Sequence, residues 1–119
     1  AAVACANHGE TDYVSARIRF ELNSAEVKPQ FMPSIRGLAQ VMRENPDRTF
    51  VVAGHTDISG GDAINQPLSQ ARAQAVARLL VREGVDPSRL VTEGRASRQL
   101  CMVNQPHAAT NRRVTFALR

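Results

Sequence analysis

The chain has 119 residues, of which 43% are hydrophobic, a length and composition that suit one compact globular domain. No apolar run approaches the roughly eighteen residues that a membrane-spanning helix needs, so the sequence predicts no membrane span. Aromatic residues make up only 4% of the chain, and the net charge of +4 is dispersed, with Arg112-Arg113 as the only adjacent basic pair. Both features argue against nucleic-acid binding, which commonly uses aromatic stacking surfaces and dense basic patches.

The first half of the chain predicts a strand, a helix and a second strand. Apolar residues occupy every second position over 14–22, from Val14 to Leu22, which predicts a strand with one buried face. Apolar residues then recur at helical spacing over 31–42, which predicts a helix. Pro29 and Pro33 lie near its start, and Asn45-Pro46 lies at its end. The β-branched run 49–53 predicts an interior strand.

The second half predicts a long loop over 54–64, with Gly60-Gly61 as its hinge. A helix should begin at Pro67 or Leu68 and end at Glu83, and Gly84 should cap it. The stripe expected to be buried comprises Leu68, Ala71, Ala75, Val76, Leu79 and Leu80. The remaining predicted elements are a strand over 90–93, a loop over 95–110 with one possible helical turn, and a strand over 114–118.

This element order, β-α-β-α-β-(loop or short helix)-β, favours helices packed on a sheet. The first two crossovers should be right-handed and give parallel strand pairs. Residues 1–13 are predicted to be an N-terminal extension, and residues 14–119 are predicted to be a single domain.

The main candidate site comprises Asp57 and Arg72. Asp57 follows the predicted strand 49–53 closely, and Arg72 lies near the predicted start of the second helix. A short connection would bring the two to one end of a sheet, where they could hold a ligand carrying an ammonium and a carboxylate. Arginine near a helix start is disfavoured by the helix dipole, which suggests a functional reason for its presence. The alternative is a mutual salt bridge that orders the loop.

The two cysteines, Cys5 and Cys101, allow three interpretations. They could form a disulfide, which would fit an oxidising compartment. They could instead be unrelated thiols. Cys5 could also be a lipid-attachment cysteine, since Val3-Ala4-Cys5 loosely fits such a site.

Several motifs in order resemble the OmpA-like peptidoglycan-binding domain over residues 18–118. They are Phe20 with Asn23-Ser24, the run Gly54-His55-Thr56-Asp57, Asn65 with Leu68-Ser69 and Arg72-Ala73, Gly84-Val85, and Asn111-Arg112-Arg113-Val114. The resemblance implies a two-layer α/β sandwich with a mixed four-stranded sheet of order 1-4-2-3, the last strand antiparallel. One departure is Gly94-Arg95-Ala96, where the family often has Gly-aromatic-Gly. A second is the unusually apolar stretch 99–103.

The family's ligand is the diaminopimelate residue of the peptidoglycan stem peptide. By resemblance, Asp57 receives its ammonium and Arg72 its carboxylate, and we expect Asp57→Ala or Arg72→Ala to abolish binding without affecting folding. Backbone amides at Leu68 and Ser69, if they lie at a helix start, could add donors. The candidate ligand-binding residues are Asp57, Arg72, Thr56, Asn65, Leu68, Ser69, Asn23, Ser24 and Arg112.

The resemblance implies a non-catalytic, periplasmic domain that anchors an envelope protein or assembly to peptidoglycan, with no cofactor or metal. Envelope-complex proteins or further copies of the chain are possible partners. The alternative is an assembly scaffold that no longer depends on peptidoglycan, with Leu100 to Val103 as a partner surface. A hydrolase using His55, Asp57 and His107 is disfavoured, because HExxH and Gly-x-Ser-x-Gly motifs are absent.

Overall fold

The computed structural model describes the backbone of residues 13 and 14 and the whole of residues 18–119. Its helices and strands are β1 (Tyr13–Val14), α1 (Met32–Glu44), β2 (Phe50–Gly54), α2 (Gly61–Arg82), β3 (Leu90–Gly94) and β4 (Val114–Leu118). Short 3-10 turns lie at Pro29–Phe31, Pro87–Arg89 and Ala109–Asn111.

Strand β2 lies inside a mixed sheet. It pairs in parallel with β3 and antiparallel with β4, in a register that places Val52 between Thr92 and Phe116. The mixed sheet and the two helices confirm the predicted α/β class. Beyond β4, the two-residue β1 adds pairs at Tyr13 and Val14 only, so the full strand order 1-4-2-3 stays a prediction at that edge.

The predicted first strand is wrong at its C-terminal end. Residues 18–20 do run beside the start of β4, with an isolated bridge between Arg19 and Arg113 and a 3.0 Å bond from Phe20 N to Arg112 O. Leu22, however, is 54% exposed and lies in a turn in which Asn23 has φ 56°. The chain turns away from the sheet here, so the alternating pattern extends beyond the paired segment.

Helix α1 agrees with the prediction, including the prolines at its start, whereas α2 differs from it. Helix α2 begins at Gly61 and contains Pro67 in its interior, so the predicted loop over 54–64 is shorter than expected. Its first turn carries Asp62, which interacts favourably with the helix dipole. Packing against the sheet outweighs the cost that a proline imposes inside a helix.

The buried stripe of α2 is polar in its first half and apolar in its second. The residues that the sheet covers are Asn65, Ser69, Arg72, Ala73, Val76 and Leu80. Of the six residues predicted to form this stripe, only Val76 and Leu80 are fully buried. Polar side chains therefore occupy the part of the helix that faces the ends of β2 and β3.

The apolar core lies between α1, α2 and the sheet. Its fully buried members include Ile18, Ile35, Ala39, Met42, Val52, Val76, Leu80 and Val114. At the C-terminal end of β2 the helix and sheet touch backbone to backbone, because a Cβ on Gly54 would lie 1.8 Å from Ser69 O. This contact fixes where the polar half of α2 meets the sheet.

Within the described residues, no helix combines the length and the hydrophobicity that crossing a membrane would require.

Candidate functional site

The loop that leaves β2 is held by backbone bonds to two other loops. His55 N donates to Arg113 O at 2.8 Å, Thr56 N to Ala96 O at 2.9 Å, and Ile58 N to Pro106 O at 3.0 Å. Ala96, the residue where the family often has glycine, is fully buried and keeps a left-handed backbone with φ 45°. These contacts place Asp57 at the end of the sheet, as the sequence predicts.

Asp57 is 3% exposed, and its carboxylate is held by two donors. Ser59 N donates to Oδ1 at 2.8 Å, and Arg112 Nη1 donates to Oδ2 at 3.0 Å as part of an ion pair. Burial raises the pKa of Asp57, but the Ser59 amide and the Arg112 guanidinium outweigh it and hold the pKa below its ordinary value. Asp57 is therefore an anion at neutral pH.

The Arg72 side chain is 0% exposed, and all three of its nitrogens donate to backbone carbonyls. Nε reaches Ser24 O at 2.8 Å, Nη1 reaches His55 O at 2.9 Å, and Nη2 reaches Glu21 O at 3.1 Å. The guanidinium also lies over the Phe20 ring, 5.2 Å from its centroid. Burial lowers the pKa of Arg72 to about 10, with Arg112 adding to the effect and Asp57 opposing it, so Arg72 remains a cation at neutral pH.

The structure differs from the alternative of an Asp57–Arg72 salt bridge and from two expectations about the start of the second helix. Asp57 forms its ion pair with Arg112 rather than with Arg72. Arg72 lies in the middle of a 22-residue helix, so the argument from an unfavourable dipole at a helix start does not apply. Leu68 and Ser69 also lie inside the helix, where main-chain amides are engaged by the carbonyls one turn earlier.

Asn65 and Thr56 border Asp57. Asn65 is 2% exposed, and its Nδ2 donates to Asp57 O at 3.3 Å, which supports the loop. Thr56 is also 2% exposed, and its Oγ1 has no hydrogen-bond partner among the residues that the structure describes. A buried hydroxyl of this kind can bind a ligand atom or an ordered water.

The remaining candidates support the site from two sides. Ser69 Oγ donates to Gln66 O at 2.9 Å and accepts from Ala96 N at 3.0 Å, while Leu68 is half-buried. Ser24 contributes the carbonyl that Arg72 binds, and its hydroxyl accepts from Glu26 N at 3.1 Å. Asn23 is exposed in the preceding turn, so its left-handed backbone shapes the segment that covers Arg72.

A cavity of about 250 Å³ opens beside this cluster. Its lining comprises Arg19, Phe20, Glu21, Lys28, Gln30, Phe31, Ala109 and Arg112. The Arg112 side chain is 16% exposed, donates from Nε to Phe20 O at 2.8 Å, and connects the cavity to Asp57. Arg112 is thus the accessible guanidinium of the site, whereas Arg72 is the enclosed one.

Two residues missed by the site prediction, Asn111 and Arg113, organise the loop before β4. Asn111 is fully buried, accepts from Met102 N at 2.7 Å and donates to Gln105 O at 2.9 Å. Arg113 is 5% exposed and donates from Nη2 to Gln99 O at 2.9 Å. Both belong to the run Asn111-Arg112-Arg113. The sequence signal that could have found them is the loop before this run: it has no periodicity, so its backbone groups need side chains as hydrogen-bond partners.

The two histidines take supporting positions. His55 is 1% exposed and its Nε2 lies 2.8 Å from Thr115 Oγ1, so it is packed and hydrogen-bonded in the interior. His107 Nδ1 lies 3.1 Å from Ser59 Oγ on the surface. Within the described range, no group of three His, Cys, Asp or Glu side chains is arranged to hold a metal ion.

Cys101 is 6% exposed and does not carry a free thiol. Cys5, its partner in one of the three interpretations above, lies outside the described residues, and so do residues 1–12 of the predicted extension 1–13. The pairing of these two cysteines therefore stays a prediction.

The fold and site define a mixed α/β domain that gathers one carboxylate and two guanidiniums at one end of its sheet. Residues 19–113 match the model of the OmpA family, and the chain belongs to that family.

Known relatives agree with this membership. The chain is 40% identical over 103 residues to outer membrane porin F of Pseudomonas fluorescens, covering 85% of this chain and 32% of that protein. It is 38% identical over 103 residues to the probable lipoprotein YiaD of Escherichia coli K12, covering 85% of this chain and 47% of that protein. It therefore spans less than half the length of these relatives.

Among solved structures, the peptidoglycan-associated lipoprotein of Burkholderia pseudomallei superposes with a TM-score of 0.79 at 26% identity. The superposition covers 86% of this chain and 88% of that one. The shared fold accordingly extends over most of both chains.

Proposed function

We propose that this domain binds peptidoglycan without catalysis and anchors an envelope protein or assembly to the cell wall in the periplasm. The recognised group would be the diaminopimelate of the stem peptide. Its ammonium would be received by Asp57, and its carboxylate by the guanidiniums around Asp57. Membership in the OmpA family and the likeness to a peptidoglycan-associated lipoprotein support this proposal.

The observation that carries the proposal is the meeting of one carboxylate and two guanidiniums at the end of β2. Arg112 lies against Asp57 at 3.0 Å and also lines the adjoining cavity. Arginine matches a carboxylate with two parallel hydrogen bonds, which lysine cannot reproduce. A zwitterionic amino-acid head group would thus find both of its charges complemented within one small site.

Burial of both Asp57 and Arg72 implies that binding includes a local rearrangement. A ligand ammonium that reaches Asp57 competes with Arg112, and a ligand carboxylate that reaches Arg72 displaces the carbonyls of Glu21 or Ser24. Arg112, released from Asp57, can then turn to the ligand carboxylate. We therefore assign the first contact with the carboxylate to Arg112.

Affinity for a single stem peptide should be modest. Charge-assisted hydrogen bonds contribute roughly 1.5–3 kcal/mol each, and ordering costs offset part of this gain. The dissociation constant should then lie between about millimolar and micromolar. Retention on the polymer would come from avidity when several copies bind one sacculus.

The proposal is tested by sedimenting the folded protein with purified diaminopimelate-type sacculi. Wild type should co-sediment, and Asp57→Asn, which keeps the shape but removes the charge, should remain in the supernatant. Asp62→Asn is the matched control, because Asp62 is exposed in the first turn of α2 and undergoes the same chemical change. Lysine-type peptidoglycan, whose stem peptide lacks the second carboxylate, should retain much less protein.

Equal sedimentation of wild type and Asp57→Asn would refute the assigned site. Equal binding to both kinds of peptidoglycan would refute recognition of diaminopimelate while leaving the wall-binding role in place.

The second candidate is an assembly scaffold that does not depend on peptidoglycan. The complete enclosure of Arg72 favours it, since three carbonyls already use this guanidinium. Val103, which is 62% exposed beside the half-buried Leu100 and Met102, would belong to its partner surface. Wild-type protein that stays in the supernatant with every sacculus preparation would favour this role.

A further inference from the structure

A second groove lies away from the candidate site, between the outer side of α2 and strand β3. It has a volume of about 470 Å³, and the residues that line it are Gln74, Ala77, Arg78, Val81, Arg82, Pro87, Leu90 and Thr92. Its floor is mainly apolar, and Val81 is 38% exposed there. The candidate site lies at the C-terminal end of β2, whereas this groove follows the beginning of β3.

Strand β3 pairs with β2 on one side only, and its other side is an open edge of the sheet. Arg95 N donates to Gly54 O, so the backbone of Arg95 points towards β2. Backbone groups of successive residues in a strand point to opposite sides, so those of Leu90, Thr92 and Gly94 point towards the open edge. Two of these groups are already used. Leu90 N donates to Pro87 O, and Gly94 O accepts from Gln66 and Arg98 side chains.

The open part of this edge is therefore short and well defined. It consists of the carbonyl of Leu90, both the amide and the carbonyl of Thr92, and the amide of Gly94. The side chains of Leu90 and Thr92 also line the groove, so a strand paired at this edge would place its own side chains directly over it. Such pairing cannot extend to the carbonyl of Gly94, because this carbonyl already accepts hydrogen bonds from the Gln66 and Arg98 side chains.

Two exposed arginines, Arg78 and Arg82, border the groove one helical turn apart. Neither forms an ion pair with any residue that the structure describes. Their charges are thus available to an acidic partner, and their spacing along the helix suits carboxylates on one face of an extended chain.

We propose that this edge docks an extended, acidic segment of a partner protein. The segment adds a short strand beside β3 through Leu90 O and Thr92, in the manner of β-strand addition. An apolar side chain of the segment fills the groove over Val81, and its carboxylates pair with Arg78 and Arg82. A second copy of this chain is a poorer occupant, because the chain carries a net charge of +4 and would bring two arginine-rich faces together.

The test is selection of a random twelve-residue peptide library on phage against the folded 119-residue chain. Enriched peptides should combine acidic with β-branched residues. The double variant Arg78→Glu with Arg82→Glu should bind them about tenfold more weakly or worse, as two attractive contacts become repulsive. Arg48→Glu with Arg119→Glu is the charge-matched control, since both are exposed and neither lines the groove.

Thr92→Pro provides an independent second variant. It removes an amide that points away from β2, a position where an edge strand tolerates proline, so the fold is retained while pairing is blocked. Binding of the selected peptides should be lost, and in wild type the peptide should slow hydrogen exchange at the Thr92 amide.

Three results would overturn the proposal. One is the absence of any enriched peptide, and another is equal binding of the enriched peptides to wild type and to the Arg78→Glu, Arg82→Glu variant. The third is a concentration-dependent dimer of wild type that Thr92→Pro abolishes, which would assign this edge to a second copy of the chain.

Discussion

Arg72 shows how a residue predicted for binding can also hold the fold together. Its guanidinium joins the segment before α1, through Glu21 and Ser24, to the exit of β2 at His55. A sequence pattern identifies Arg72 as important but does not reveal that backbone carbonyls use its donors. Those carbonyls lie as many as 51 positions away along the chain, which is beyond the reach of local periodicity.

The enclosure of Arg72 changes the expected result of its mutation. Arg72→Ala leaves three carbonyls without their donor and should lower the free energy of unfolding by about 3–5 kcal/mol. Arg72→Lys keeps the charge but cannot span three acceptors, so its loss should be smaller, about 1–3 kcal/mol. Urea denaturation measures both values.

Arg78→Ala is the control for this series, because Arg78 lies in the same helix but is exposed, and it should change stability by less than about 0.5 kcal/mol. Identical denaturation midpoints for Arg72→Ala and Arg78→Ala would contradict the structural role of Arg72. The expectation that Arg72→Ala leaves folding intact is thus replaced, and Asp57→Asn becomes the more informative binding variant.

At the scale of elements, strands β2, β3 and β4 and helix α1 follow from local patterns. Helix α1 and strand β4 have apolar periodicity, whereas β2 and β3 are short runs rich in apolar and β-branched residues, and both kinds of pattern report burial. The start of α2 does not follow from the sequence. Gly60, Gly61 and Pro67 are typical of a loop, but the helix begins at Gly61, directly after its N-cap Gly60, and packing against the sheet retains it through Pro67.

The polar half of α2 explains why its buried stripe was also misassigned. Asn65, Ser69 and Arg72 face the sheet and serve the loops at its end, so hydrophobicity alone could not identify the buried face. When one face of a helix carries both core residues and polar site residues, that face is no longer uniformly apolar. The amphipathic pattern that sequence analysis uses is then lost.

Close packing between α2 and β2 leads to a prediction for Gly54→Ala. The added Cβ would lie 1.8 Å from Ser69 O, so the helix and strand must separate. We expect a loss of about 3 kcal/mol or more in the free energy of unfolding, at the upper end of overpacking effects. Gly37→Ala is the matched control, because its Cβ would meet nothing within 4 Å inside α1.

The control should stabilise the protein by about 0.5–1 kcal/mol, since alanine favours a helix interior over glycine. The thermal denaturation midpoint should therefore fall for Gly54→Ala and rise for Gly37→Ala. Equal shifts would show that the helix can move away from β2 at little cost.

For the whole molecule, the Asp57–Arg112 ion pair connects the middle of the chain to the segment just before its last strand. The pKa of Asp57 is lower in the folded protein than its ordinary value, so Asp57 contributes stability above the unfolded-state pKa of about 3.9. That contribution falls as the pH decreases through the folded-state pKa.

The matching experiment compares the free energies of unfolding of wild type and Asp57→Asn between pH 7 and pH 2. Their difference should stay constant down to about pH 4 and shrink at lower pH, because both proteins then carry a neutral side chain at this position. A difference that persists unchanged to pH 2 would show that Asp57 contributes to stability through shape rather than charge.

The enclosure of Asp57 and Arg72 also has a kinetic consequence. A ligand that needs both groups can enter only after the segment around Glu21 to Ser24 moves, so the rate of opening sets an upper limit on association. The same step precedes escape, which lengthens the lifetime of each attachment. Under intermittent mechanical load, such a domain would be slow to engage and slow to release.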